Sequence, residues 1–127
     1  MKIEEQEGDY SVYRFGPGRP VPDGVLSGPG FVSVTRTGEE LSIVCSSGNI
    51  QSADREEGGW GLWKVRGPLD FGLIGVLSAI TAPLASAGVS VFAVSTYDTD
   101  YILWKRDRTA AAITALREAG FKLESAR

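Results

Sequence analysis

The chain has 127 residues, enough for one compact domain or two very small ones that share a core, and too few for a typical two-domain enzyme. Its hydrophobic fraction of 43% and charged fraction of 23% are close to the averages of globular proteins, which argues against disorder for most of its length. The formal net charge is −3 and the thirteen Lys and Arg residues are scattered, so the sequence indicates no nucleic-acid partner.

Catalytic and metal chemistry is restricted by the absence of histidine. This excludes Ser-His-Asp and Cys-His catalysis and the usual zinc sites, and we expect no metal and no cofactor. The single cysteine, Cys45, lies in a predicted strand, where we interpret it as a small buried hydrophobic residue and not as a nucleophile.

The same features suggest a cytoplasmic protein. A lone cysteine suits a reducing compartment, and the acidic, polar residues 1–10 do not resemble a secretory signal. The longest apolar stretch, residues 73–94, is interrupted by Gly75, Pro83 and Gly88, and it predicts a helix followed by a strand, not a membrane span.

The N-terminal half is predicted to be rich in β-strands. Residues 10–15 predict a first strand, and residues 16–30, with four prolines and five glycines, predict a long loop. Residues 31–46 alternate apolar and polar side chains around a turn at 37–40, the pattern of a β-hairpin with one buried face. The polar segment 48–59 predicts a surface connection that marks the boundary between the two halves of the chain.

The C-terminal half predicts strand, helix, strand, strand, helix, strand. The strands are predicted at residues 62–67, 89–96, 100–106 and 121–123. Leu73, Leu77, Ile80 and Leu84 form the apolar stripe of a first helix that Gly88 ends. A second helix carries Ala110, Ile113 and Leu116 on one face, begins at a cap provided by Asp107 or Thr109, and ends at Gly120.

This order predicts an α+β fold of the split βαβ, ferredoxin-like type. Its antiparallel sheet of four strands carries both helices on one face. We expect residues 1-59 to form a partial β-rich unit with the Pro/Gly-rich loop, and residues 60-127 to form the complete βαββαβ domain. We interpret the three tryptophans, Trp60, Trp63 and Trp104, as core or interface residues.

Two segments of the C-terminal half resemble the ACT domains of small amino-acid sensors. LDFGLIGVLS and STYDTDYIL stand at the spacing found in the subfamily shared by stand-alone bacterial ACT proteins and CASTOR-type sensors. The N-terminal TRTGEELSIVC also resembles the incomplete first ACT unit of that subfamily. The resemblance covers about four fifths of the chain, but no helix-forming segment lies between residues 15 and 31, which departs from a full ACT unit.

The resemblance implies a regulatory protein that binds a free amino acid at a domain or subunit interface and forms a homodimer. It places the ligand between the start of the first helix and the turn after the second strand. The implied ligand-binding residues are Asp70, Phe71, Gly72, Leu73, Ile74, Gly75, Ser95, Thr96, Asp98, Thr99 and Asp100. The resemblance does not imply which amino acid is bound.

The chemistry of these residues suits an amino acid. The helix start offers backbone N–H groups to a carboxylate, whereas Asp70, Asp98 and Asp100 offer oxygens to an ammonium group. From the residues alone, however, the more common role of Asp98 and Asp100 is to tie the turn by bonding to backbone N–H groups. The glycines, likewise, more often serve helix packing.

Two other functions compete with the sensor. The first is an ACT-fold module that binds proteins without a small ligand. The second is an enzyme acting on an amino-acid-like substrate, which the missing histidine and the lack of a nucleophile and base pair disfavour. Glu39 and Glu40 are interpreted as a solvated hairpin turn and not as paired acids, because successive strand residues point to opposite faces.

Overall fold

The structure is a computed structural model that describes residues 1–66 and 74–126. The described elements are β1 (Lys2–Phe15), β2 (Ser33–Arg36), β3 (Leu41–Ser46), β4 (Arg55–Val65), α1 (Val76–Ser86), β5 (Val91–Ser95), β6 (Asp100–Lys105), α2 (Thr109–Glu118) and β7 (Lys122–Glu124). The chain divides into an N-terminal unit, Gly8–Gly59, and a C-terminal unit composed of Met1–Glu7 and Trp60–Arg127. Strands β1 and β4 contribute residues to both units.

The N-terminal unit contains the predicted hairpin. β2 and β3 pair antiparallel with Val34 opposite Ile43, and the Thr37 N–H donates to the Glu40 carbonyl at 2.9 Å to close the turn. β3 also pairs antiparallel with β1. Leu41, Ile43 and Cys45 lie on one face of β3 and are fully buried, which confirms the interpretation of Cys45 as a core residue.

A loop, not a helix, packs on the core of the N-terminal unit. Residues 16–32 contain no helix in the structure, and Val25 from this loop is 4% exposed and belongs to the core that includes Tyr13, Phe15 and Ile43. Asp54 holds the start of the loop, because its carboxylate accepts the Gly16 N–H at 2.9 Å. The absence of a helix-forming pattern between residues 15 and 31 is thus confirmed.

The C-terminal unit has the predicted βαββαβ order with an additional strand. Its strands lie in the order β7, β1, β4, β6, β5, with Trp63 opposite Ile102 in the β4–β6 ladder and Ala93 opposite Ile102 in the β5–β6 ladder. β1 therefore lies between β4 and β7, and its residues 2–4 pair in parallel with residues 122–124. The predicted four-stranded sheet lacked this strand, because only Ile3 is apolar in the acidic segment that forms it.

Both helices pack on one face of this sheet, as predicted. The core contains Ile80 and Leu84 from α1, Ala112 and Leu116 from α2, and Ile3, Trp63, Val65, Ile102 and Trp104 from the strands. The rings of Trp63 and Trp104 stack at 4.8 Å between centroids, and Trp60 is 9% exposed, so all three tryptophans are buried. The predicted apolar face of α2 is shifted: Ala112 is buried, whereas Ala110 is exposed.

Both helices end at the predicted glycines, but α2 does not begin at a predicted cap. Gly88 and Gly120 have φ of 75° and 98°, and the N–H groups of the residues that follow them donate to Leu84 and Leu116, the bonding pattern of a Schellman motif. Neither Asp107 nor Thr109 caps α2, because a 3₁₀ turn at Arg106–Arg108 leads into it. The Thr109 hydroxyl instead accepts the Trp104 indole N–H at 3.2 Å.

Two strands begin earlier in the structure than the sequence predicted. β4 begins at Arg55, so the last residues of the predicted surface connection 48–59 are strand, and β1 begins at Lys2 instead of residue 10. The predicted start of the first helix at Leu73 lies outside the described residues, within which α1 begins at Val76. Within the described ranges, no helix has the length and hydropathy needed to cross a membrane.

Candidate ligand site

The turn between β5 and β6 is held by its own side chains. Ser95 and Asp100 are opposite each other in the ladder, and the Ser95 hydroxyl donates to the Asp100 carboxylate at 2.5 Å. The Thr96 N–H donates to the Thr99 carbonyl at 2.8 Å, and the Thr99 N–H donates to the Thr96 hydroxyl at 3.3 Å. Ser95, Thr96, Thr99 and Asp100 are therefore engaged in forming the turn.

Thr99 also fixes the turn to the end of β4. Its side chain is buried, 4% exposed, and its hydroxyl donates to the Val65 carbonyl. Val65 is the last residue of β4, from which the chain continues toward α1. The turn and the end of β4 therefore lie at the same end of the sheet.

Asp98 also lies in the turn, but its carboxylate takes no part in the hydrogen bonds that form the turn. It is exposed, and none of the hydrogen bonds or ion pairs among the described residues involves it. Next to it, Tyr97 is 79% exposed. Of the two aspartates in the turn, Asp100 is thus tied to Ser95, whereas Asp98 projects from the tip toward solvent.

The start of α1 has no side-chain cap among the described residues. Gly75 precedes the helix with φ of 83°, and the first turn contains no acidic residue. The first N–H groups of a helix have no acceptor within the helix, so those of the first turn of α1 can donate to a ligand. Ile74 is 95% exposed. The predicted site residues Asp70, Phe71, Gly72 and Leu73 lie outside the described residues.

Sequence reasoning overlooked a cation at this edge. Arg66 follows the last residue of β4, and its guanidinium lies 3.1 Å from the Glu4 carboxylate while 58% of its side chain remains exposed. It is the natural partner of an anionic group bound near the end of β4. Its position near the end of the predicted strand of residues 62–67 was the signal available in the sequence.

Other candidate groups carry no catalytic arrangement. The N–H groups of Glu39 and Glu40 donate to the Thr37 hydroxyl at 3.1 and 3.2 Å, as expected for a hairpin turn. Burial, and then the charge of Glu56, raise the pKa of the Cys45 thiol, which makes it a poor nucleophile. In the part of the chain that the structure describes, no group of His, Cys, Asp and Glu side chains could hold a metal ion.

The fold defines the class: a small ferredoxin-like α+β module with an antiparallel sheet and two helices on one face. The model of the ACT domain matches residues 55–118, half of the chain, and a second family model, described as an N-terminal domain, matches residues 8–53. The chain belongs to the ACT-domain family, as its sequence resemblance implied.

Solved structures agree with this assignment. The chain is similar to protein Atu0741 from Agrobacterium tumefaciens, with 34% identity, a TM-score of 0.90 and coverage of 98% of this chain and 92% of that one. A Vibrio cholerae protein of unknown function, described as a possible transport protein, matches with 22% identity, a TM-score of 0.71 and coverage of 93% and 88%. The regulatory subunit of aspartate kinase from Thermus thermophilus shares the fold at 10% identity, with a TM-score of 0.65 and coverage of 93% and 96%. No curated protein matches the chain.

Proposed function

We propose that this protein is a non-catalytic, cytoplasmic amino-acid sensor that acts as a homodimer. The proposed ligand is a free amino acid held between the start of α1 and the β5–β6 turn. One observation carries the proposal: Thr99 bonds the β5–β6 turn, which holds the exposed Asp98, to Val65 at the end of β4, and the next described element along the chain is α1, whose start has no side-chain cap among the described residues.

The helix start and Arg66 suit the ligand's carboxylate. The first turn of α1 offers N–H donors and the positive end of the helix dipole, with no acidic side chain in that turn to oppose an anion. Arg66 adds a positive charge that can reach a ligand, since its side chain is 58% exposed. An anion at a helix start is stabilised by about 0.3–2 kcal/mol from the dipole alone.

The turn suits the ligand's ammonium group. Asp98 provides the carboxylate, because Asp100 is already bonded to Ser95 at 2.5 Å. A charge-assisted hydrogen bond of this kind contributes about 1.5–3 kcal/mol. We therefore narrow the candidate residues to Ile74, Gly75 and Asp98 for contact, and assign Ser95, Thr96, Thr99 and Asp100 to building the turn.

A thermal-shift screen of the twenty amino acids at millimolar concentration tests the proposal. A ligand that binds only the native state stabilises it, by about 2.7 kcal/mol at 100 times its Kd, so at least one amino acid should raise the Tm. The C-terminal amide and the N-acetyl derivative of that amino acid should each lose the shift. No shift with any amino acid, and no small molecule retained in native mass spectrometry, would contradict the proposal.

Two matched variants locate the site. Asp98→Asn should weaken binding of the amino acid about tenfold or more, because it removes the charge that meets the ammonium group. Asp107→Asn is the control, since Asp107 is also an exposed aspartate of the C-terminal unit but lies beyond the opposite end of β6. Equal loss of binding in both variants would contradict a site at the β5–β6 turn.

A protein-interaction module remains the second candidate. Ile74 and Tyr97 are 95% and 79% exposed, and large exposed hydrophobic side chains favour contact with another protein. In that case Asp98→Asn would leave partner binding intact and no amino acid would raise the Tm.

We also propose that residues 1-59 derive from a partial ACT-like unit and 60-127 from the complete one, although β1 supplies residues 2–7 to the C-terminal unit.

A further inference from the structure

Two exposed hydrophobic side chains stand next to the groups proposed to bind the ligand. Ile74 is 95% exposed and directly precedes Gly75, and Tyr97 is 79% exposed and directly precedes Asp98. Among the described residues, these are the two most exposed large hydrophobic side chains. A single exposed hydrophobic residue needs no explanation, whereas one on each of the two segments of a proposed site indicates an apolar contact.

The turn that carries Tyr97 is fixed before any ligand binds. The Thr96 N–H donates to the Thr99 carbonyl at 2.8 Å, and the Thr99 hydroxyl donates to the Val65 carbonyl at the end of β4. The next described element after β4 is α1, and Ile74 lies just before it. Because the backbone of the turn is already ordered, a contact made by Tyr97 costs less conformational entropy.

A charged ligand side chain would meet a neutral surface. Neither α1 nor β5 contains Asp, Glu, Lys or Arg. The Asp100 carboxylate already accepts the Ser95 hydroxyl at 2.5 Å. The Glu4 carboxylate lies 3.1 Å from the Arg66 guanidinium. Asp98 and Arg66 serve the main-chain groups of the ligand, so a charged side chain would lose hydration without gaining a free partner among these groups.

We propose that the ligand is an amino acid with an uncharged, apolar side chain, and that Ile74 and Tyr97 select it. This inference rests on the proposed function, because it names the class of the same ligand. The main-chain carboxylate and ammonium groups are common to α-amino acids, so they provide affinity without discrimination. Discrimination comes from the side chain, for which Ile74 and the ring of Tyr97 are exposed apolar contacts.

The hydrophobic effect sets the size of the expected discrimination. Complete burial of one CH₂ group tightens binding about fourfold. Alanine, 2-aminobutyrate, norvaline and norleucine form a series in which each member adds one CH₂ group. Because a ligand side chain between two surface residues is buried only in part, Kd should fall about two- to fourfold at each step.

Isothermal titration calorimetry of the full chain with this series tests the ligand class. Lysine is the matched comparison, because it is norleucine with an ammonium group at the end of the same chain. It should bind at least about tenfold more weakly than norleucine. Lysine, arginine or glutamate binding as tightly as norleucine, or a Kd that does not fall along the series, overturns the inference.

Substitutions of the two hydrophobic residues test their assignment. Tyr97→Ser and Ile74→Ser should each weaken norleucine binding about fivefold or more, but should change alanine binding less than about twofold, since alanine has little side chain to bury. Tyr97→Phe keeps the ring and should keep the affinity for norleucine. Leu26→Ser is the matched control, because Leu26 is 69% exposed but belongs to the N-terminal unit. Equal losses for alanine and norleucine, or an equal loss in Leu26→Ser, overturn the assignment.

Failure of this inference differs from failure of the proposed function. If none of the twenty amino acids raises the Tm or binds in calorimetry, both are overturned. If a charged amino acid binds most tightly and Asp98→Asn weakens it, the sensor stands and the apolar ligand class is overturned. Preference for norleucine over lysine that is lost in Tyr97→Ser and kept in Tyr97→Phe supports both.

Discussion

The two aspartates of the β5–β6 turn differ in bonding and exposure although they stand two residues apart. Asp100 accepts the Ser95 hydroxyl at 2.5 Å, whereas Asp98 is exposed at the tip. The sequence predicted the turn and its residues, but it did not show whether each aspartate binds a ligand or forms the turn. The ladder register answers this for Asp100, because residues opposite each other in a ladder are close enough to bond.

A third aspartate, Asp54 in the N-terminal unit, is expected to make stability depend on pH. The Gly16 N–H bonded to Asp54, together with the nearby Arg19, lowers the pKa of this carboxyl below its ordinary value of 3.8. A lowered carboxyl pKa stabilises the folded state above the pKa of the unfolded chain, and that contribution is lost as the pH falls through the lower folded value.

We therefore predict that Asp54→Asn lowers the urea midpoint at pH 7, and that its difference from wild type shrinks as the pH falls below 3.8. The effect should be small, because the carboxyl is exposed to solvent. Asp23→Asn, in the same unit and also exposed, should leave the midpoint unchanged at both pH values. A difference for Asp54→Asn that grows toward acid pH would contradict the assignment.

The sequence predicted the ends of the two helices better than the starts of two strands. Gly88 and Gly120 marked the helix ends correctly, because a left-handed residue at that position favours glycine strongly. The starts of β1 and β4 were missed, since Lys2–Phe15 and Arg55–Val65 begin with polar residues that strands tolerate on an exposed face. Within residues 2–9 of β1, the part that was missed, Ile3 is the one buried residue and carries the apolar signal.

The glycine that ends α2 provides a test of that backbone argument. Gly120 has φ of 98°, and a Cβ added there would meet no neighbouring atom within 4 Å, so Gly120→Ala acts through the backbone alone. We expect a loss of about 1–2 kcal/mol in the free energy of unfolding, measured by urea titration. Gly38→Ala is the matched control, because Gly38 has equal space without a positive φ, and it should be neutral or slightly stabilising.

At the scale of the whole molecule, sequence order and structural units do not coincide. The β4–β6 and β5–β6 ladders follow from the predicted βαββαβ order. The match to the ACT-domain family agrees with that order. The insertion of residues 2–4 between β4 and β7 could not be predicted, because pairing between distant strands leaves no local pattern.

This insertion predicts that a residue near the start of the sequence stabilises the C-terminal unit. Ile3 is fully buried in the core that contains Trp63, Leu84 and Leu116. Ile3→Ala should lower the free energy of unfolding by about 2–5 kcal/mol in urea titration. Leu26→Ala, at a position 69% exposed, should change it by less than about 0.5 kcal/mol. A smaller loss for Ile3→Ala than for Leu26→Ala would contradict the burial of β1 in this unit.

The pairing of Lys2 with Lys122 also sets the order of events during synthesis. These residues are 120 positions apart, so the β1–β7 ladder closes a loop almost as long as the chain. Loop closure of this length adds little to the equilibrium cost but slows folding. On the ribosome, residues 2–4 must wait without this neighbour until residues 122–124 emerge. Glu4, Glu5 and Glu7 keep this waiting strand charged, which opposes its premature association with other nascent chains.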